Sequence, residues 1–175
     1  MSIKNIRSSL GEYAKDIKLN LGNVLTEEGS PDLNLSQING IALASVYATR
    51  NEELIKAVES DAKEHLSEDE VNAAKASATV MAMNNIYYRF VHLASDKDYG
   101  KMPANLRMNI IGNPGIAKVD FELYSLAVSA INGCGMCIDA HVRQVEKEGV
   151  SKTGIQSSIR IASVINATAQ ALTIG

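Results

Sequence analysis

Apolar side chains recur every three to four residues along nearly the whole chain, which is the period of an amphipathic α-helix. No segment shows the strict alternation of apolar and polar residues that is typical of a half-buried strand. The first apolar stripe covers about twenty residues and consists of Ile3, Ile6, Leu10, Tyr13 and Ile17. The pattern predicts an all-α protein, and residues 1–175 are expected to form a single domain because neither a repeat nor a linker interrupts them.

Turn and capping residues divide this pattern into successive helices. Ser67 and Glu70 form a capping box in front of a long helix, and Gly149 stands where a glycine commonly ends one. Asn132 and Gly133 interrupt an apolar run, so one helix should end and the next begin there. After the first stripe, the predicted helices cover about residues 35–49, 52–64, 67–92, 103–111, 119–131, 134–148 and 151–172.

Composition and charge exclude several functions. The chain is 46% hydrophobic and 21% charged, which is usual for a globular protein, and its net charge of -3 offers no basic surface for nucleic acid. The N-terminus has no apolar core of a signal peptide, and no uninterrupted apolar run is long enough to span a membrane. These features predict a cytoplasmic protein, in which a purely structural disulfide is unusual.

The only two cysteines, Cys134 and Cys137, form a Cys-x-x-Cys motif at the predicted start of a helix. Residues three apart on a helix are neighbours, so the two thiols can close a disulfide and open it again. Both the helix N-terminus and His141, one turn beyond Cys137, favour the thiolate, which is the reactive form of cysteine. The motif therefore predicts a dithiol redox protein with Cys137 as the nucleophile and Cys134 as its disulfide partner.

Glu122 is a further candidate because it lies in the apolar run that precedes the motif. In one straight helix it would be about 18 Å from Cys134 along the axis, too far for contact. If the chain folds back at Asn132 and Gly133, however, Glu122 and His141 come level on facing helices. The carboxylate could then polarise the imidazole, directly or through water, as an orienting group behind a base does.

Other interpretations of the motif remain open. The two cysteines could bind a metal together with His141 and Glu122, although structural zinc usually needs four ligands at firmer spacing. They could also be inert core residues, since free cysteine buries readily. A non-catalytic scaffold is a further alternative, with the motif as a redox sensor or structural clip. Another is a decarboxylase-like enzyme on the same fold that uses no dithiol chemistry.

The long helix beginning near Ser67 carries two more features. Met81 and Met83 are expected to fill the core, since methionine adapts to irregular gaps. Asn84 and Asn85 are unusual in the middle of a helix, and they predict either a kink or polar groups close to the site.

Taken together, these residues resemble the alkyl hydroperoxide reductase D (AhpD) family within the carboxymuconolactone decarboxylase-like superfamily. The family motif, Glu-x(11)-Cys-x-x-Cys-x-x-x-His, is met by Glu122, Cys134, Cys137 and His141. The likeness extends along nearly the whole chain and includes residues 12–21, 48–51, 83–89, 106–116, 121–124 and 127–134. One departure is that Gly135 and Met136 stand between the cysteines, where some relatives carry a histidine.

The resemblance implies an all-helical bundle that assembles into a homotrimer and acts as an antioxidant, lipoyl-dependent peroxidase. Its dithiol would take electrons from dihydrolipoamide, supplied by dihydrolipoamide dehydrogenase and a lipoylated dihydrolipoamide acyltransferase. It would pass them to the peroxiredoxin AhpC or to alkyl hydroperoxides. No tightly bound cofactor and no metal are expected.

The same resemblance assigns a role to each residue of the motif. His141 would be the base, and Glu122 would relay its proton. Cys137 would pass through a sulfenic acid or a mixed disulfide with a partner. Cys134 would protonate the leaving group and then resolve the intermediate as the intramolecular disulfide.

Overall fold

The computed structural model describes residues 2–175, which contain nine α-helices, two short 3₁₀ helices and no β-strand. The α-helices are α1 (Ile3–Ser9), α2 (Lys15–Val24), α3 (Leu35–Thr49), α4 (Glu52–Ala62), α5 (Glu68–Leu93), α6 (Asn109–Gly112), α7 (Lys118–Ile131), α8 (Gly135–Lys147) and α9 (Lys152–Ile174). The 3₁₀ helices are Glu12–Ala14 and Lys97–Lys101. The all-α prediction is thus confirmed, and within residues 2–175 no helix is long and apolar enough to cross a membrane.

One hydrophobic core takes buried side chains from every α-helix except α6. Helices α3 and α7 lie at its centre, pack against each other, and both contact α5 and α9. Their approach is close because α3 carries Gly40 at the contact, where the ring of Tyr124 on α7 occupies the space that a Cβ would need. Helix α8 packs against α7 and α5. As a result, residues 121–129 of α7 are all buried.

Capping residues set several helix boundaries as predicted. The Ser67 hydroxyl accepts a hydrogen bond from the Glu70 N–H at 3.3 Å, and the Glu70 carboxylate accepts one from the Ser67 N–H at 2.7 Å. Ser151 caps α9 by accepting from the Gly154 N–H at 3.0 Å. Gly149 follows α8 with a φ of 92°, a left-handed conformation that glycine adopts without strain.

The first apolar stripe, although its spacing is helical throughout, is not one continuous helix. Helix α1 ends at Ser9, and Leu10 and Gly11 have extended backbone with ψ values of 130° and 170°. Tyr13 is consequently 62% exposed, and its hydroxyl donates to the Ala171 carbonyl of α9 at 2.8 Å. Periodicity alone missed this break because apolar residues on both sides of it keep the helical spacing.

The short helix predicted from Pro103 is also wrong over most of its length, because only Asn109–Gly112 is helical. Asn105 has a φ of 53°, a left-handed conformation that does not continue into a right-handed helix. The irregular segment instead leads to Met108 and Ile111, whose side chains line a cavity beside the cysteine motif.

Candidate active site

The chain reverses between α7 and α8 at Asn132 and Gly133. Gly133 has a φ of 69°, which favours glycine, and its N–H donates to the Ala130 carbonyl at 3.2 Å. The Cys134 N–H then donates to the Ser129 carbonyl at 3.1 Å. The predicted break is therefore confirmed, and it brings α7 and α8 side by side.

Cys134 and Cys137 are joined by a disulfide at the N-terminus of α8. Their Cα atoms are 5.3 Å apart, within the usual range for a disulfide. Cys134 is the N-cap of α8 rather than a residue of its first turn, and its Sγ accepts from the Cys137 N–H at 3.3 Å. Cys134 is fully buried, whereas Cys137 keeps 6% exposure and lines the neighbouring cavity. A reagent that enters this cavity therefore reaches Cys137 rather than Cys134, which does not line it.

Glu122 and His141 form a direct hydrogen bond between α7 and α8. The distance from Glu122 Oε2 to His141 Nδ1 is 2.6 Å, and both side chains are buried. A carboxylate only accepts hydrogen bonds, so with Glu122 in that form Nδ1 carries the shared hydrogen. Nε2 is then the ring nitrogen that can take up or release a proton. Through the α7–α8 contact and the disulfide, the structure brings Glu122, Cys134, Cys137 and His141 into one region.

The other ring nitrogen of His141 faces a methionine on α5. His141 Nε2 lies 3.3 Å from Met81 Sδ, and Met81 is 1% exposed. A thioether sulfur is a weak acceptor, so this contact is attractive when Nε2 carries a hydrogen. Met81 does belong to the core as predicted, but sequence reasoning missed its contact with the imidazole.

A hydrogen-bond network, buried at Asn85 and exposed at Arg89, connects α5 to the turn before Cys134. Asn85 Nδ2 donates to Ser129 Oγ at 2.9 Å, and Asn85 Oδ1 accepts from Asn132 Nδ2 at 2.9 Å. Arg89 Nη1 donates to the Asn132 carbonyl at 2.6 Å. Helix α5 runs through this region without interruption, and Asn85 supplies polar groups near the site, which is one of the two outcomes predicted for the adjacent asparagines.

A cavity of about 270 Å³ lies against the disulfide and the imidazole. Most of its wall is apolar, and its lining residues are Met81, Asn84, Tyr88, Met108, Ile111, Met136, Cys137, Ala140 and His141. Asn84 differs from its neighbours in this wall because its Oδ1 is buried and has no hydrogen-bond partner. The backbone carbonyl oxygen of Asn84 lies 4.0 Å from Cys137 Sγ, so this residue is next to the reactive sulfur.

The contribution of α5 to the site has a signal in the sequence. Met81, Asn84, Asn85 and Tyr88 are spaced at i, i+3, i+4 and i+7 and therefore share one helix face. Two amide side chains on a buried helix face are unusual in a helix that serves only to fill the core. The spacing does not say which other helix this face meets, so it cannot assign these residues to the cysteine motif.

In the part of the chain that the structure describes, the side chains do not support the metal-binding alternative. Among residues 2–175, no group of three or more His, Cys, Asp and Glu side chains is arranged to hold a metal ion. Both cysteine sulfurs are bonded to each other, so metal binding would require the reduced protein.

A cysteine pair closed as a disulfide at a helix N-terminus, with a buried carboxylate–imidazole pair beside it, is typical of a helical dithiol oxidoreductase. Residues 97–174 match the model of the carboxymuconolactone decarboxylase family. The chain is 58% identical over 168 residues to the alkyl hydroperoxide reductase AhpD of Coxiella burnetii (strain RSA 493 / Nine Mile phase I), covering 96% of this chain and 95% of that protein. It is 52% identical to the AhpD of Rhodospirillum centenum, covering 98% and 91%, and 50% identical to that of Hyphomonas neptunium, covering 98% and 94%. The chain belongs to the AhpD family.

Proposed function

We propose that this protein is an antioxidant alkyl hydroperoxide reductase that takes its electrons from a dihydrolipoyl group. The observation that carries the proposal is the Cys134–Cys137 disulfide with Cys137 in the cavity wall and the Glu122–His141 pair beside it. Membership of the AhpD family supports an alkyl hydroperoxide reductase role in general. The proposal goes further by naming a dihydrolipoyl group as the electron donor and by assigning a role to each residue of the site.

In the oxidative half of the reaction, His141 Nε2 takes the proton of the Cys137 thiol. The thiolate attacks the terminal oxygen of the hydroperoxide, the O–O bond breaks, and Cys137 becomes a sulfenic acid. Cys134 gives its proton to the departing alkoxide and becomes a thiolate. It then attacks the Cys137 sulfur to form the disulfide, and the released hydroxide takes the proton from His141. The net change is two thiols and one hydroperoxide converted into a disulfide, an alcohol and water.

In the reductive half, a dihydrolipoyl thiolate attacks the disulfide. Attack at Cys137 fits the burial pattern, because Cys134 is fully buried and Cys137 lines the cavity. The mixed disulfide is resolved by the second dihydrolipoyl thiol, which leaves both protein thiols reduced and the lipoyl group oxidised. The apolar wall of the cavity suits an aliphatic carrier arm.

The proposed partners complete an electron-transfer chain. Dihydrolipoamide dehydrogenase and a lipoylated dihydrolipoamide acyltransferase supply the reduced lipoyl group, and the peroxiredoxin AhpC receives electrons from the Cys134–Cys137 dithiol. Transfer to AhpC also proceeds through a mixed disulfide at Cys137. No tightly bound cofactor is needed, since the protein's own thiols carry the two electrons.

The proposed homotrimer agrees with an apolar surface on the second half of α5. Ile86, Phe90 and Leu93 are 65%, 50% and 71% exposed, and their spacing places them on one side of the helix. Phe90 also contacts the ring of Tyr99 edge-on, with the ring centroids 5.0 Å apart. Burial of this surface against a second copy would remove it from water. Light scattering on the purified protein tests the assembly, and a monomeric mass would contradict it.

A coupled assay tests the function. NADH, dihydrolipoamide dehydrogenase, lipoamide and this protein are mixed with an alkyl hydroperoxide, with and without AhpC, and NADH oxidation is followed. We expect consumption that requires every component except AhpC, which should accelerate it. Peroxide-dependent disulfide formation without lipoamide-dependent turnover would favour the redox-sensor alternative, and stoichiometric zinc in the purified protein would favour the metal-binding one.

A further inference from the structure

Asn84 is a buried polar residue whose amide oxygen has no hydrogen-bond partner. Its side chain lines the cavity and is 4% exposed, and its Oδ1 has no hydrogen-bond partner. Buried polar side chains normally have such partners, and an unpaired one reduces stability. The adjacent Asn85 follows this rule, because it donates to Ser129 and accepts from Asn132. The unpaired amide oxygen of Asn84 therefore points to a partner that is not part of the chain.

We infer that Asn84 binds the peroxide group of an organic hydroperoxide beside the sulfur of Cys137. The inference deepens the proposed function and rests on it. The backbone oxygen of Asn84 is 4.0 Å from Cys137 Sγ, so a ligand that contacts Asn84 in the cavity is also close to the reacting sulfur. Apart from His141 and the disulfide, the cavity has few other polar groups that could orient a ligand.

The chemistry of the two groups is complementary. A carboxamide both accepts and donates hydrogen bonds, and a hydroperoxide presents one O–H donor and two oxygen acceptors. The χ2 torsion of asparagine is broad, so either end of the carboxamide can turn towards the ligand. When the Cys137 thiolate attacks the terminal oxygen, negative charge develops on the alkoxide oxygen that leaves. An N–H of Asn84 aimed at this oxygen stabilises the charge until Cys134 delivers its proton.

The remaining wall of the cavity specifies the rest of the substrate. Tyr88, Met108, Ile111 and Met136 surround the space with apolar surface. Its volume of about 270 Å³ lies near the lower end of the range of small-molecule sites. Both properties favour a hydroperoxide with a compact hydrocarbon group over hydrogen peroxide, which buries no apolar surface.

The test compares Asn84→Leu with Asn72→Leu, the same substitution at an exposed position of α5. For Asn84→Leu we expect kcat/KM for cumene hydroperoxide to fall about 10- to 100-fold, the range for hydrogen bonds to charged groups. Modification of Cys137 by methyl methanethiosulfonate should stay within about twofold of the wild type, because that reaction does not use the peroxide contact. Folding should not suffer, since leucine removes an unpaired buried polar group.

A second measurement does not depend on turnover. Cumyl alcohol, the product, is titrated into the disulfide form of the wild type and of Asn84→Leu, and binding is followed by calorimetry. Weaker binding to Asn84→Leu supports the inference. Equal peroxide kinetics and equal alcohol binding in both proteins would overturn it, as would an equal loss of peroxide and methanethiosulfonate reactivity. If the wild type binds the alcohol through Asn84 but does not reduce the hydroperoxide, the proposed function is wrong and the binding site stands.

Discussion

The two sides of α7 are equally buried but make different kinds of contact with their neighbours. Towards α5 and α8, this helix presents Glu122, Ser125 and Ser129. Each has a polar partner: Glu122 binds His141 at 2.6 Å, Ser125 binds Ser77 at 3.1 Å, and Ser129 binds Asn85 at 2.9 Å. The first side is thus held by directional hydrogen bonds between side chains.

Towards α3, the buried contact depends mainly on shape, and the hydrogen bond from Gln37 of α3 to Asp120 at 2.9 Å lies in the first turn of α7. The ring of Tyr124 fills the space above Gly40, and its buried hydroxyl has no hydrogen-bond partner. Burial, reinforced by the negative charges of Asp120 and Glu70, raises the pKa of Tyr124, so this hydroxyl stays neutral. The side facing α5 and α8 carries residues of the candidate site, whereas the side facing α3 serves mainly the stability of the fold. Substitutions on the α5 and α8 side should change reactivity, and substitutions on the α3 side should change the free energy of unfolding.

The largest effect is expected at the cysteines that follow α7. Cys137→Ser should abolish hydroperoxide reduction and transfer to AhpC, because the sulfur that lines the cavity is lost. Cys134→Ser should leave a thiol that still reacts but cannot resolve, so it should accumulate as a sulfenic acid or a mixed disulfide. Mass spectrometry of each variant after peroxide treatment distinguishes the two outcomes. Equal trapping at both positions would contradict the assigned roles.

Removal of the imidazole should have the next largest effect. His141→Phe keeps both thiols but should slow their reaction by about 10²–10⁴-fold, the range for a lost general base. Glu122→Gln should fall between this variant and the wild type, since the amide oxygen can still accept from Nδ1. The measurement is the rate of Cys137 alkylation against pH in the reduced protein. A pH profile unchanged by His141→Phe would show that the imidazole does not activate the thiol.

On the α3 side, Gly40→Ala should destabilise the fold without changing the chemistry. The added methyl group would overlap the ring of Tyr124, and such overpacking costs about 1–3 kcal/mol. Alanine's higher helix propensity, about 1 kcal/mol, offsets only part of this. Urea unfolding measures the loss, and alkylation of the folded protein should show the wild-type pH profile. A changed profile would mean that the two sides of α7 are not independent.

The sulfur of Met81 offers a finer test of the polar side. Met81→Leu keeps nearly the same volume but removes the acceptor that lies 3.3 Å from His141 Nε2. The thiolate–imidazolium state should then be less favourable, so the midpoint of Cys137 alkylation should move to higher pH. At neutral pH the rate should fall about 2- to 5-fold, as expected for one weak hydrogen bond. Met83→Leu, at a partly buried position of α5 outside the cavity wall, is the matched control. If both variants show the same pH profile of Cys137 alkylation, Met81 does not contribute to the reactivity of Cys137.

The smallest effect is expected at the hydroxyl of Tyr124. Tyr124→Phe removes a buried polar group that has no partner, so the free energy of unfolding should rise by about 0.5–1 kcal/mol. Combined with Gly40→Ala, it should also relieve part of the overlap, since the hydroxyl lies closest to the added methyl group. Chemical denaturation of the single and double variants measures both effects. A loss of stability in Tyr124→Phe would show that the hydroxyl has a partner, such as an ordered water.

Several features of the fold followed directly from local patterns. Helix α3 coincides with the predicted 35–49, and α7, α8 and their break lie within one or two residues of the prediction. Helical periodicity and caps are properties of neighbouring residues, so they can be read without tertiary contacts. The error at Leu10 occurred where apolar spacing continued through backbone that is not helical, and the error at 103–108 occurred because Pro103, which suits the first turn of a helix, begins no helix here.

The sequence by itself determined the all-α class, the helix break at Asn132 and Gly133, and the spacing of Cys134, Cys137 and His141. These depend on distances of a few residues, which the geometry of a single helix sets. Only the tertiary structure decided that Glu122 contacts His141 directly, that Met81 faces the other ring nitrogen, and that Asn84 lies unpaired in an apolar cavity. Such contacts join separate helices, and they depend on how closely and at what angle those helices pack, which no local pattern encodes.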